Sequence, residues 1–372
     1  MICSCGGSHP SLTPPFQAEV ISINLLNEPG GRTASIPFSL KKVTFKYLEK
    51  PETLSSRYFI FQSGGKAESD SNNTNLTRFY QLGVSDFYNH FKEKDNTLIP
   101  QDTFSLYATS CAYQFDLILQ KIEEISGIHP DEILNKKGKF KIFFNVLSHT
   151  NNKKEKTGNA FYVSSFFSFV TTLPAKTEIV PLSANLRVIA HEYGHLIFDY
   201  LTTDFQDNSH IKEFKNDENN YIRGINEGFA DLTSFTITGS TDIMGETFLV
   251  NDHDLNASLK IRNFSQSHFN DTNIKDHCNA SYYCLGILFN HAYYQTLLSL
   301  GMDPNKESDR IKGYKLIVEA MKKTGKLIRS RGLMQGHFLR HFLRDLLDNI
   351  SDSHFKSHLE NHMKANFKNT LG

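Results

Sequence analysis

Tryptophan is absent from this chain of 372 residues, and its aromatic weight rests on 30 phenylalanines and 15 tyrosines. No function follows from that bias alone. Net charge is also absent: 40 Lys and Arg balance 40 Asp and Glu, so no global field draws the chain to nucleic acid or acidic lipid. No apolar run is long enough to span a bilayer as a helix. Cysteines number five, too few and too scattered for a disulfide framework. No Cys-x-x-Cys pair is present, which excludes the common cysteine-based zinc patterns. Cys111 sits in an apolar helical pattern and reads as a buried small hydrophobe. Cys278 and Cys284 are close in sequence, but six positions on a continuous helix point them to different faces, against pairing.

The remaining composition, 39% hydrophobic and 22% charged, is that of an ordinary globular protein. Its length suits two lobes or a domain with an extension. Residues 1–15 read as a leader rich in Ser and Pro. Within it, Ile2-Cys3-Ser4-Cys5-Gly6-Gly7 resembles the end of a bacterial lipoprotein signal, with Cys5 as the lipidated cysteine. The basic and apolar regions that usually precede such a site are missing. Residues 16–95 form a β-rich region, with partial alternation over 16–23 and 42–47 and a turn at Gly30-Gly31. The polar stretch 63–77 reads as a loop and the best internal boundary. Beyond it the pattern predicts a helix over 104–125 stopped by Gly127, a strand over 139–146 and a strand region over 159–172. After Pro181 the signal is helical: a helix capped by Ser183 and running to about Tyr200, an insertion loop over 205–220, then helices near 226–238, 281–299, 308–323 and 335–347. The outline is α+β, with sheet in the N-terminal half and helix in the C-terminal half. A basic stretch (Lys322, Lys323, Lys326, Arg329, Arg331) reads as a solvated face.

One segment carries chemistry. His191-Glu192-Tyr193-Gly194-His195 places two histidines four apart, which on a helix puts both imidazoles on one face, one turn apart. Neutral imidazole suits Zn²⁺. Glu192 lies beside the first ligand and can take a proton from a water that the metal acidifies. Leu186, Val188, Ile189 and Ala190 before it are apolar, as a helix buried at the floor of a cleft requires. Gly194 costs a helix about 1 kcal/mol relative to Ala, and close packing explains a small residue there. A catalytic zinc needs a third protein ligand and an open position. Glu227 is a candidate for it, and Asp231, four residues on, can accept the free ring N–H of a ligand histidine. The bland alternatives are a surface helix with two histidines and an exposed acidic face.

With these residues in place, the chain resembles the gluzincins, and among them the thermolysin-like peptidases. Asn159-Ala160-Phe161-Tyr162 is similar to the family's active-site edge strand. Pro181-Leu182-Ser183 precedes His191 at the family's spacing, Asp199-Tyr200 follows it, and Ile225-Asn226-Glu227 with Ala230-Asp231 matches the second motif. The resemblance spans roughly residues 100–300 and is strong from 159 to 235. It implies a catalytic domain over 96–372, with an N-lobe to about 183 and a helical C-lobe over 184–372. It also implies zinc on His191, His195 and Glu227, Glu192 as general base, Asp231 orienting a histidine, and Asn159 and Ala160 holding substrate by β-augmentation. For the oxyanion-stabilising side chain it offers His277, in His277-Cys278-Asn279-Ala280-Ser281, or Tyr283 by a later alignment. The lengthened gap at 205–220 leaves Tyr221 as the candidate for the family's transition-state tyrosine. The family's acidic calcium clusters are not recognisable, so no calcium is expected.

The expected activity is therefore a zinc endopeptidase acting outside the cytoplasm on a peptide or protein substrate. Two alternatives stand beside it. An aminopeptidase would need acidic groups to hold a free amine, and none is found upstream of His191. A non-catalytic zinc-binding surface lipoprotein would have no need of Glu192.

Overall fold

The computed structural model describes residues 15–23, 38–69, 76–81, 90–150, 155–174, 181–205, 216–242, 263, 265, 270–272, 274, 282–331 and 338–372. Cys5, Cys278 and His277 lie outside them, and so does the side chain of Tyr221.

The architecture is α+β, with the strands in the N-terminal half and the helices mostly in the C-terminal half. A four-stranded sheet has the order β2-β1-β9-β8: β1 (Gln17–Ile23), β2 (Phe38–Thr44), β8 (Phe91–Lys94) and β9 (Thr97–Pro100). Ala18 and Val20 alternate with half-buried Gln17 and Glu19, so one face of β1 is core. That sheet rests on α1 (Thr103–Ser126), where Ser110 Oγ accepts the Ile21 N–H and Asp116 accepts the N–H groups of Lys46 and Tyr47. Asp102 caps α1 in a reciprocal box with Ser105, and Gly127 ends it at φ 68°, the left-handed conformation anticipated from sequence. Helix α2 (Pro130–Lys137) follows.

The larger sheet has seven strands. Its spine runs β12 (Ala160–Val163), β13 (Ser168–Thr172), β10 (Phe140–Thr150), β6 (Lys66–Ser69), β7 (Leu76–Gln81), with β5 (Phe59–Ser63) and β11 (Glu155–Lys156) also on β10. Two sequence expectations are corrected here. The stretch 63–77 is not all loop: it holds β6 and the start of β7, and β5 and β6, on either side of Gly64-Gly65, both pair in parallel with β10. The strand region 159–172 is two antiparallel strands, split by a 3₁₀ turn and by Phe167 at φ 50°.

The phenylalanines pack this sheet against the helices. Phe115 of α1 meets Phe169 at 4.9 Å and Phe140 at 5.9 Å, and Phe140 meets Tyr193 at 6.0 Å. Tyr193 belongs to α3 (Leu186–Thr202), so the aromatic core anchors the back of the helix that carries the histidines. Helix α3 starts two residues later than expected. Asn185 caps it, its side chain accepting the Arg187 N–H at 2.9 Å, while Ser183 sits in a short 3₁₀ turn. At the other end, Arg329 donates to the carbonyls of Leu201 and Thr202. One member of the supposed solvated basic face thus closes the C-terminus of α3, where a cation complements the helix dipole.

Helix α4 (Asn216–Thr238) starts ten residues earlier than expected and takes in residues 216–220 of the predicted insertion loop. Helix α5 (Tyr282–Ser299) runs parallel to it: Gly286 lies on Gly228, and Tyr294 meets Phe235 at 6.1 Å. Helices α6 (Glu307–Arg331), α7 (Phe338–Asp348) and α8 (Ser353–Asn366) complete the lobe. Cys111 is free and fully buried, as expected. Cys284 is disulfide-bonded; Cys278, the partner weighed from sequence, lies outside the described residues. Among the described residues no helix is long and apolar enough to cross a membrane.

Candidate metal centre

The site is made where α3 and α4 touch. A Cβ on Gly194 would lie 2.6 Å from Ala230 Cα, closer than real Cβ contacts allow. Only glycine lets the two backbones approach so far, which accounts for a poor helix former inside the motif. On the opposite flank of α4, a Cβ on Gly228 would lie 2.8 Å from Gly286 Cα. Residues 224–231 of α4 are therefore gripped between α3 and α5, and the side chains they carry are held from both sides.

Three side chains converge there. His191 Nε2 and His195 Nε2 are 3.1 Å apart, and Glu227 Oε2 is 3.3 Å from the first and 3.8 Å from the second. Among the described residues this trio is the one group of three or more His, Cys, Asp or Glu whose ligand atoms all lie within 4.8 Å of one another. Two ligand atoms at about 2.05 Å from a tetrahedral zinc would be about 3.3 Å from each other, and the three spacings bracket that value.

The other ring nitrogens are spoken for. His191 Nδ1 lies 2.7 Å from Asp231 Oδ1, and His195 Nδ1 lies 2.8 Å from Asn226 Oδ1. Each acceptor draws the ring proton to Nδ1 and leaves Nε2 with its lone pair facing the centre. Two such lone pairs and a carboxylate oxygen in one place repel each other unless a cation lies between them. The donor set, two imidazoles and one carboxylate, fits zinc.

Glu192 stays out of that trio. Its carboxylate is buried, and its Oε2 accepts the main-chain N–H of Tyr162 at 2.7 Å. Burial pushes its pKa above the usual carboxylate range; His191 and His195 oppose the rise, and Glu227 adds to it. Tyr162 belongs to β12, a strand paired on one side to β13 and open on the other among the described residues. In an antiparallel pair, alternate residues turn their main-chain groups away from the partner strand. Asn159 faces β13: its carbonyl accepts the Thr172 N–H at 2.9 Å and its N–H donates to Thr172 Oγ1. Ala160 and Tyr162 therefore face the open edge, and the N–H of Tyr162 already serves Glu192. A substrate contact from Asn159 would fall to its side chain.

Sequence reasoning named His191, His195, Glu192, Glu227 and Asp231, and the fold brings these five together. It quoted Asn226 without a role, and it missed the Tyr162 N–H. Asn226 had a signal, being a polar residue beside a ligand. A main-chain donor has no residue type and left none. Tyr283 lies in the first turn of α5, one turn before the Gly286 that rests on Gly228, the neighbour of Glu227. His277, the other candidate for that role, is outside the described residues.

No protein family matches the chain, and no curated protein matches it. Among solved structures it is similar to the precursor of protealysin, a metalloproteinase from Serratia proteamaculans, at 10% identity and a TM-score of 0.44, over 81% of this chain and 87% of that one.

Proposed function

We propose that the chain is a zinc endopeptidase of the thermolysin-like type, cutting peptide bonds in an open cleft. The observation that carries this reading is the convergence of His191 Nε2, His195 Nε2 and Glu227 Oε2 with a buried glutamate, Glu192, beside them but outside the trio. A site of purely structural metal has no use for a neighbouring carboxylate that is not a ligand.

His191, His195 and Glu227 would hold the zinc, which when bound supplies Lewis acidity toward a peptide carbonyl and toward a water molecule. Glu192 is the general base. Its Oε2 is fixed by the Tyr162 N–H, which leaves Oε1 to take the proton from the attacking water and deliver it to the leaving amine. Asp231 and Asn226 keep both imidazoles in the ligating tautomer. The open edge of β12 offers the main chain of Ala160 and the carbonyl of Tyr162 to an extended peptide, with the side chain of Asn159 at the rim. His277 or Tyr283 would donate to the developing oxyanion. The disulfide at Cys284 supports an oxidising, extracytoplasmic location, and a lipid anchor at Cys5 belongs to the same proposal.

The test is digestion of a diverse peptide library, with blocked and free N-termini, by zinc-loaded protein and by Glu192→Gln. Internal cuts in both kinds of peptide are expected. Loss of general-base catalysis should slow turnover by about 10²- to 10⁴-fold while one zinc per site is retained. Cutting confined to free N-termini would replace the endopeptidase with an aminopeptidase, and full activity of the Glu192→Gln protein would remove the mechanism.

A further inference from the structure

A second set of imidazoles lies well apart in sequence, on α8. His354, His358 and His362 follow one another at steps of four, so they form a row along one flank of the helix. His354 is exposed, and His358 and His362 are half-buried. The rings of His354 and His358 meet edge to face, centroids 4.9 Å apart and planes at 81°. The pair at the first site has the same arrangement, 4.6 Å and 84°.

The row stands on a fixed base. Phe355, Leu359 and Met363 are buried beneath it, Asp352 caps the helix by accepting the N–H groups of His354 and Phe355, and Asn366 donates to the Leu288 carbonyl of α5. His362 Nε2 lies 2.9 Å from Ser299 Oγ at the end of α5. Burial, then His358 and His291 of α5, push the His362 pKa down.

We propose that His354 and His358 form a second binding site, for a divalent transition-metal cation of the zinc, nickel or copper class. Neutral imidazole is the preferred ligand for these ions. Two imidazoles one helical turn apart, on a helix whose first turn is already fixed, reach a common ion with little rearrangement. Water completes the coordination, so the site is open and binds more weakly than the first. A bound ion ties two turns of α8 together and steadies the C-terminal end of the chain.

The experiment is calorimetric titration of metal-free protein with Zn²⁺ alone. Wild type is expected to take up two equivalents, one tight and one weaker. His354→Ala/His358→Ala should lose the weaker one while peptide cleavage is unchanged. The loss should be about tenfold or more in affinity, since even an outer-shell change costs that much. His191→Ala/His195→Ala should keep it, and in that protein the imidazole C–H resonances of His354 and His358 should shift on adding Zn²⁺. Identical isotherms for wild type and His354→Ala/His358→Ala, or resonances that do not move, would overturn the proposal. His354→Gln/His358→Gln, checked by its metal-free melting temperature, replaces the alanine variant if that one fails to fold. The outcome is independent of the peptidase reading: a wild type that cuts no peptide leaves the second equivalent countable.

Discussion

A ligand histidine has two ring nitrogens, and its surroundings decide which one faces the centre. At His191 the decision is made by a charged acceptor, Asp231 Oδ1 at 2.7 Å, and at His195 by a neutral one, Asn226 Oδ1 at 2.8 Å. The charged partner holds its proton more firmly and makes its imidazole a stronger ligand. Asp231→Ala should therefore weaken zinc binding by about 10- to 100-fold, and Asn226→Ala should weaken it less. Competition with a chelator of known affinity measures both. Equal losses would mean that the two acceptors act only by filling space.

At the scale of elements, the centre depends on how closely helices approach. Gly194→Ala adds a methyl group that would stand 2.6 Å from Ala230 Cα. Backbone cannot yield as a side-chain tip can, so α3 and α4 must separate. Overpacking of this kind costs about 1–3 kcal/mol, against a gain of about 1 kcal/mol in helix propensity. A lower melting temperature and weaker zinc binding together are expected. A stabilised variant would show that the contact is softer than its distances imply. Helix α1 offers a test by pH. The Ser105 N–H first, and then His90, hold the pKa of Asp102 below the ordinary aspartate value. A carboxylate with a depressed folded pKa adds stability that is complete above the unfolded value and is lost as pH falls through the folded one. Asp102→Ala should cost about 1 kcal/mol near neutral pH, and the gap between variant and wild type should narrow as pH falls through the acidic range below the ordinary aspartate value. Urea unfolding at several pH values reads this directly.

For the whole molecule, the zinc site and fold stability are linked. His191 and Glu227 belong to different helices, so an ion held by both stabilises their packing by mass action, about 2.7 kcal/mol at a hundredfold excess over Kd. Stripping the metal with a chelator should lower the melting temperature and abolish peptide cleavage. Both should return on adding zinc. An unchanged melting temperature would mean that the ion does not bind the folded protein in preference to the unfolded chain, and would remove the metal centre.

The sequence by itself determined what depends on local period. His191 and His195 share a face because of a spacing of four, as do Glu227 and Asp231. The run of α1 to Gly127 and the α+β division were legible for the same reason. Tertiary structure alone decided the rest. Strands β5 and β6 pair with β10 across some eighty residues that include α1, and no local pattern records such a pairing; the polar residues around Gly64-Gly65 imitated a boundary. The split at Phe167 is a matter of one backbone angle. Asn226 meets His195, and Gly228 meets Gly286, only because the helices cross at those residues. The hold on Glu192 comes from a main-chain N–H, a group that every residue but proline carries, so nothing in the residue alphabet could have singled out Tyr162.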